Sequence, residues 1–166
     1  FLLKDVNEAT VGANPNDPVG FLLLDTVDLT GFRDIEISLR IAAATDLEVG
    51  EDFVVFDYAL DTDIGSGYTL FKSFQTNGIS TNMEEDTDLN LAADDGGTVI
   101  GTNMLDFSFN LPSTADSIQL RMRGSNTVAV ELFIIDQITI SGINYPEIVN
   151  LFPASGTASI NPTTPT

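Results

Sequence analysis

The sequence predicts an all-β chain folded as an antiparallel β-sandwich. Three observations point there: strict alternation of apolar and polar residues, breakers between the alternating segments, and no helical stripe. In Ile35-Glu36-Ile37-Ser38-Leu39-Arg40-Ile41 every second side chain is apolar, which puts one face on a core and the other in water. The same period recurs in Leu105-Asp106-Phe107-Ser108-Phe109-Asn110-Leu111 and in Ile118-Gln119-Leu120-Arg121-Met122-Arg123, and such half-buried strands belong to antiparallel sheets. No window carries an i, i+3, i+4, i+7 apolar stripe longer than one turn, which sets aside α/β architectures.

Taken in order, residues 19–24 form the first clear strand candidate and 35–41 the second. Residues 53–60 are apolar on both parities, with Phe53, Val55 and Ala59 on one and Val54, Phe56, Tyr58 and Leu60 on the other. That pattern predicts a central strand. Further strands are expected at 68–74, 88–91, 105–111, 118–123 and 128–141, separated by stretches rich in Gly, Asn, Asp, Thr and Pro, a rhythm typical of sandwiches. Residues 143–166 differ, holding Pro146, Pro153, Pro162 and Pro165 of the seven prolines. They are expected to be a tail, linker or docking segment beside a sandwich domain at 1–142. Ile148, Val149, Leu151 and Phe152 are the residues with which it would dock on the sandwich or a neighbouring chain. The apolar start Phe1-Leu2-Leu3 is either the first strand of the domain or a contact for another chain.

At 166 residues the chain suits one domain with a sizeable core, and 43% hydrophobic against 19% charged residues argues for a folded chain. With 25 Asp plus Glu against 6 Lys plus Arg the net charge is −19. Such a surface repels phosphate backbones and anionic lipid heads, so neither a nucleic acid nor a membrane surface is the expected partner. Cations are the natural small partners, although an acidic surface also serves simply to keep a protein soluble. Without cysteine there is no thiolate nucleophile and no zinc-thiolate site. No stretch approaches the ~20 apolar residues of a membrane helix, and no basic-then-apolar leader precedes Phe1. The expectation is a mature chain or an excised domain, extracellular or on a cell surface.

Three acidic features bear on chemistry. Asp61-Thr62-Asp63-Ile64-Gly65-Ser66-Gly67 follows the central strand, and alternate Asp side chains before glycines let carboxylates and carbonyls converge on one hard cation. The competing reading is a turn in which the carboxylates cap backbone amides. Residues 83–97 contain Glu84, Glu85, Asp86, Asp88, Asp94 and Asp95 before Gly96-Gly97, read as a solvated loop unless a cation screens the mutual repulsion. Asp136 shares the parity of Val130, Leu132, Ile134, Ile138 and Ile140, the core-facing one. There it needs backbone donors, an Arg or a metal, unless a bulge turns it outward.

The stretches Val27-Asp28-Leu29-Thr30-Gly31-Phe32, residues 51–61, residues 107–123 and Phe133-Ile134-Ile135-Asp136-Gln137-Ile138 resemble the jelly-roll modules of secreted bacterial multidomain proteins. Those are similar to calcium-stabilised carbohydrate-binding and MAM-like sandwiches. The resemblance implies a jelly-roll fold and a structural calcium held by Asp136 with acidic residues of another strand or loop, and Glu51 and Asp52 match the acidic pair that opens the central strand. Together these make Asp136, Asp61, Asp63, Glu51 and Asp52 the candidate metal residues. Sugar-binding members stack Trp or several exposed Tyr on sugar rings, whereas this chain has no Trp and only Tyr58, Tyr68 and Tyr145.

No Ser-His-Asp set, phosphate-cradling Gly loop or histidine is present, and carboxylate pairs are too frequent here to single out a glycosidase site. The chain is expected not to be an enzyme. The expected role is a structural or adhesive, calcium-stabilised module that self-associates or docks a neighbouring module, forming a filament through its termini. The alternative is a carbohydrate-binding module whose partner is a polysaccharide.

Overall fold

The architecture is set by where alternation puts apolar side chains. The structure is a computed structural model and describes residues 2–3, 20–44, 47–48, 52–78, 82–93, 95–111, 114–125 and 132–144. Its strands are β1 (Leu2–Leu3), β2 (Gly20–Leu23), β3 (Val27–Asp28), β4 (Phe32–Ala44), β5 (Phe53–Leu60), β6 (Thr69–Thr76), β7 (Met83–Asp86), β8 (Val99–Ile100), β9 (Leu105–Asn110), β10 (Ser117–Ser125) and β11 (Leu132–Asn144). A single 3-10 turn, Asp61–Asp63, follows β5.

Every ladder is antiparallel. One sheet has the order β1-β11-β4-β9 and the other β2-β10-β5-β6-β7-β8, with β3 also pairing β10. The pairs nest: β1 with β11, β2 with β10, β4 with β9, β5 with β6. A chain folded as one long hairpin and then rolled produces that nesting, which is the double Greek key of a jelly roll.

Between the sheets, Ile35, Ile37, Leu39 and Ile41 of β4, with Phe107, Phe133 and Ile135, meet Val54, Phe56, Tyr58, Phe71, Phe74, Ile118, Leu120 and Met122. The residues between them in β4 and β10 stand on the outer faces, as alternation requires. Aromatic rings bridge the layers: Phe74 packs against Phe107 at 4.8 Å between centroids and Phe71 against Phe109 at 5.0 Å. β5 lies between β10 and β6 and is buried on both faces, as its doubly apolar sequence predicts.

One expected strand is corrected and one strand's limits shift. Residues 88–91 are not a strand: Leu89 and Leu91 have φ of 60° and 70°, which extended backbone excludes. The strand there is β7, hidden in the sequence because Glu84 and Glu85 interrupt any apolar alternation. The last strand, expected at 128–141, spans Leu132–Asn144, while the tail beyond it, including Ile148, Val149, Leu151 and Phe152, lies outside the described residues. Leu2 and Leu3 pair with Ile134 and Phe133 at the edge of the chain's own sheet, the first of the two readings of the apolar start.

Phe74 is fully buried and meets Phe56 edge-on as well as Phe107. Phe74→Ala is expected to cost about 3–5 kcal/mol in urea unfolding. A loss below ~1 kcal/mol would show that the aromatic bridge does not hold the sheets together.

Candidate metal centre

The sequence-predicted ligands do not converge. Asp136 sits where the β11–β4 register shifts between Ile135 and Gln137, and this bulge turns it outward. Its side chain is 56% exposed and lies 3.7 Å from Arg40, which also approaches Asp106 at 3.7 Å. The core-facing placement is therefore wrong, because parity counts from one end of a strand fail across a bulge.

Asp61 has φ of 46° and accepts the backbone N–H groups of Asp116 and Ser117, both at 2.9 Å, plus the Ser117 hydroxyl. It ties the entry of β10 to the turn after β5 through one carboxylate oxygen, which is the capping arrangement of the two readings. The Asp63 side chain is exposed, and its carbonyl accepts from Ser66 and Gly67. Asp52 is buried, and its carboxylate accepts the Glu48 backbone N–H. Glu51 lies outside the described residues. Asp52 and Asp61 flank the eight residues of β5, a separation on the order of 30 Å at strand rise. No single ion spans them.

The carboxylates that do converge are Asp86, Asp88 and Asp95, with oxygens all within 4.8 Å of one another. Asp86 ends β7 on the outer parity, opposite Ser73, and is buried. It accepts the backbone N–H of Asn90 at 3.1 Å and of Leu91 at 2.8 Å. Asp95 accepts from the Thr87 N–H at 2.7 Å, the Thr87 hydroxyl and the Asp88 N–H at 3.0 Å. Glu84 accepts from Gly96 and Gly97 at 2.9 and 3.2 Å. The loop thus wraps its own carboxylates. Gly97 is required for this wrap, since a Cβ there would lie 1.8 Å from the Glu85 carbonyl oxygen.

The wrap also buries apolar surface. Leu91 packs with Leu70 against Phe53 and Val55, a second small cluster on the outer side of β5. Holding Leu91 there places Asp86 beside Asp88. Burial pushes the Asp86 carboxyl above its ordinary value, and the proton it would share with Asp88 acts the same way, against the lowering effect of the Leu91, Ser73 and Asn90 donors. Asp95 is held below its ordinary value, first by the Thr87 hydroxyl. Ionised Asp86 therefore opposes folding at neutral pH, and a nearby cation would remove that opposition.

The donor set fits a hard divalent ion. Two oxygens at ~2.4 Å from a common calcium lie no more than ~4.8 Å apart, and such an ion takes carboxylates and waters together. In the sequence these residues read as a solvated loop unless a cation screens their repulsion, and none of the three was singled out as a ligand. The readable signal was Asp86-x-Asp88-x-Asn90, oxygen side chains at alternate positions, the pattern sought instead at Asp61 and Asp63.

A second polar group lies on the outer face of the same sheet. Asp57 of β5 is buried and is gripped by Arg123, Nε to Oδ2 at 2.7 Å and a terminal nitrogen to Oδ1 at 2.9 Å, and by Arg121 Nε at 3.0 Å. The Arg121 guanidinium lies 4.0 Å over the Tyr68 ring, and the Tyr68 hydroxyl donates to Gln119 Oε1 at 2.6 Å.

No protein-family model matches the sequence, and no curated protein matches it either. The chemistry of the chain is therefore read from its own geometry.

Two substitutions check this geometry. Gly97→Ala is expected to unfold the acidic loop and lower thermal stability, because the clash is with backbone. Asp57→Ala, which leaves two arginines without their buried partner, is expected to cost about 3–5 kcal/mol. Denaturant titration of either variant at wild-type stability would contradict the packing described.

Proposed function

We propose that the chain is a non-catalytic, calcium-stabilised β-sandwich module that works outside the cell as a structural or adhesive unit. The convergence of Asp86, Asp88 and Asp95 in the loop that seals Leu91 over Phe53 and Val55 carries this reading. An ion there would stabilise the fold by closing the loop and would take no part in a reaction. The charge of −19 favours cation uptake in the same way.

The polar groups that catalysis would need are committed to structure in this reading. Asp61 holds the β10 entry, Asp57 is neutralised by two arginines, and Glu85 pairs with Lys72 near the Phe107 ring. Contact with a neighbour would use the edges of the β1-β11-β4-β9 sheet, β1 and β9, which pair with β11 and β4 alone among the described strands. A ligand-binding reading of the carbohydrate-binding kind stands second, favoured by Arg121, whose two terminal nitrogens have no acceptor among the described residues.

Calcium at neutral pH is expected to raise the melting temperature and chelator to lower it, through preferential binding to the folded state. Asp88→Asn and Asp95→Asn should each abolish most of that response. No calcium-dependent change in differential scanning calorimetry would sink the cation claim.

The pH dependence has a definite sign. The raised Asp86 value means that, without metal, this group's contribution is fully present below the ordinary Asp value and is lost as pH rises through its folded value. Asp95, lowered, contributes above the ordinary Asp value and loses that contribution as pH falls through its folded value. Since the ion competes with protons for Asp86, its stabilisation is expected to shrink from pH 7 toward about pH 4. Calorimetry at both pH values with and without calcium measures the difference.

A further inference from the structure

The outer face of β10 and β5 holds one cation more than its carboxylate needs. Asp57 is already satisfied by the two-point contact with Arg123, yet Arg121 stands beside it, 28% exposed in its side chain. Its Nε is used on Asp57 and one face of its guanidinium on Tyr68. The terminal nitrogens, which form the planar fork that grips a carboxylate at two points, have no acceptor among the described residues.

Tyr68 completes the donor and acceptor inventory. Its hydroxyl proton goes to Gln119 Oε1, and Gln119 in turn gives an amide hydrogen to the Leu24 carbonyl at 3.1 Å. That chain fixes the hydroxyl so that only its oxygen lone pairs remain to receive a donor. The 4.0 Å stack places the ring directly against the guanidinium. A ligand matching both groups presents a carboxylate to Arg121 and an O–H donor to Tyr68.

From this pairing we propose that Arg121 and Tyr68 form a binding subsite for a hydroxycarboxylate, specifically a uronic sugar. The inference rests on the second, ligand-binding reading and is independent of the cation. A polyanion is disfavoured, because the acidic remainder of the surface repels every carboxylate beyond the one that Arg121 neutralises. An acidic peptide supplies a hydroxyl only where Ser, Thr or Tyr stands near its carboxylate and holds the two on a flexible chain, whereas a uronic sugar supplies both on one ring.

The test is a titration of the full chain, in chelator and again in calcium, with glucuronate, glucose, lactate and a glutamyl dipeptide, followed by NMR chemical shifts. Saturable shifts with glucuronate that exceed those of glucose, lactate and the dipeptide are expected under both conditions. Arg121→Gln, in which Arg123 still satisfies Asp57, should weaken glucuronate binding about tenfold or more at little change in melting temperature. Tyr68→Phe keeps the stack and should remove the preference for glucuronate over the dipeptide, which holds the test open if the arginine variant fails to fold. Equal binding of glucose and glucuronate overturns the acidic specificity while leaving sugar binding in place. Dipeptide binding as tight as glucuronate assigns the fork to acidic peptides and overturns the proposal, and absence of all saccharide binding overturns both the subsite and the ligand-binding reading.

Discussion

Strand β5 carries Phe53, Val55, Asp57 and Ala59 on the face turned away from the opposite sheet, and all four are buried. A sandwich buries its inner faces by stacking the two sheets, so an outer face this apolar needs a cover of another kind. The chain supplies two covers. Over Phe53 and Val55 it folds the acidic loop, with Leu91 as the apolar contact. Over Asp57 it lays Arg121 and Arg123, whose aliphatic stems shield the strand while their heads meet the carboxylate. Both candidate sites are consequences of covering this one strand.

The covers have different electrostatic costs. At Asp57 the desolvated charge is compensated by charge-assisted hydrogen bonds in short, well-directed geometry. Around Asp86 compensation comes from neutral amides and a hydroxyl, and the raised carboxyl value shows that these donors do not offset burial and its neighbour. A partly compensated buried carboxylate is the less stable arrangement of the two, and it lies in the segment whose closure keeps Leu91 in place. Strain of this sort makes a loop responsive to what it binds.

The sheet layers were legible because alternation is a property of the strand itself: Ile35 to Ile41 and Ile118 to Met122 face the core as their parity says. The doubly apolar 53–60 segment also announced its central place, since nothing but burial on both sides fits it. What failed were features set by the partner strand. Asp136 leaves the core parity because a bulge inserts one residue against β4, and a bulge depends on register, which the sequence of one strand does not encode. β7 was unreadable because Glu84 and Glu85 follow the needs of a loop twelve residues away and of Lys72, not those of a core. Asp61 and Asp63 had the spacing of a cation loop, but Asp61 turns one carboxylate oxygen to the Asp116 and Ser117 amides and the Asp63 side chain is exposed, while Asp86, Asp88 and Asp95 came together only through the fold-back that Gly96 and Gly97 allow.

The distribution of the few basic residues makes the case for an ion at the acidic loop. Of the 6 Lys and Arg in the chain, Arg121 and Arg123 are at Asp57, Lys72 is at Glu85, and Arg40 lies between Asp106 and Asp136. Arg33 donates to the Phe32 carbonyl, and Lys4 lies outside the described residues. Among the described basic side chains none pairs with Asp86, Asp88 or Asp95. A fold with 25 acidic residues that places its scarce described cations elsewhere leaves three clustered carboxylates with room for a cation from solution. A divalent ion would do this with one particle, held by the same loop that Leu91 anchors, and its binding energy would then add to closure of the loop over β5.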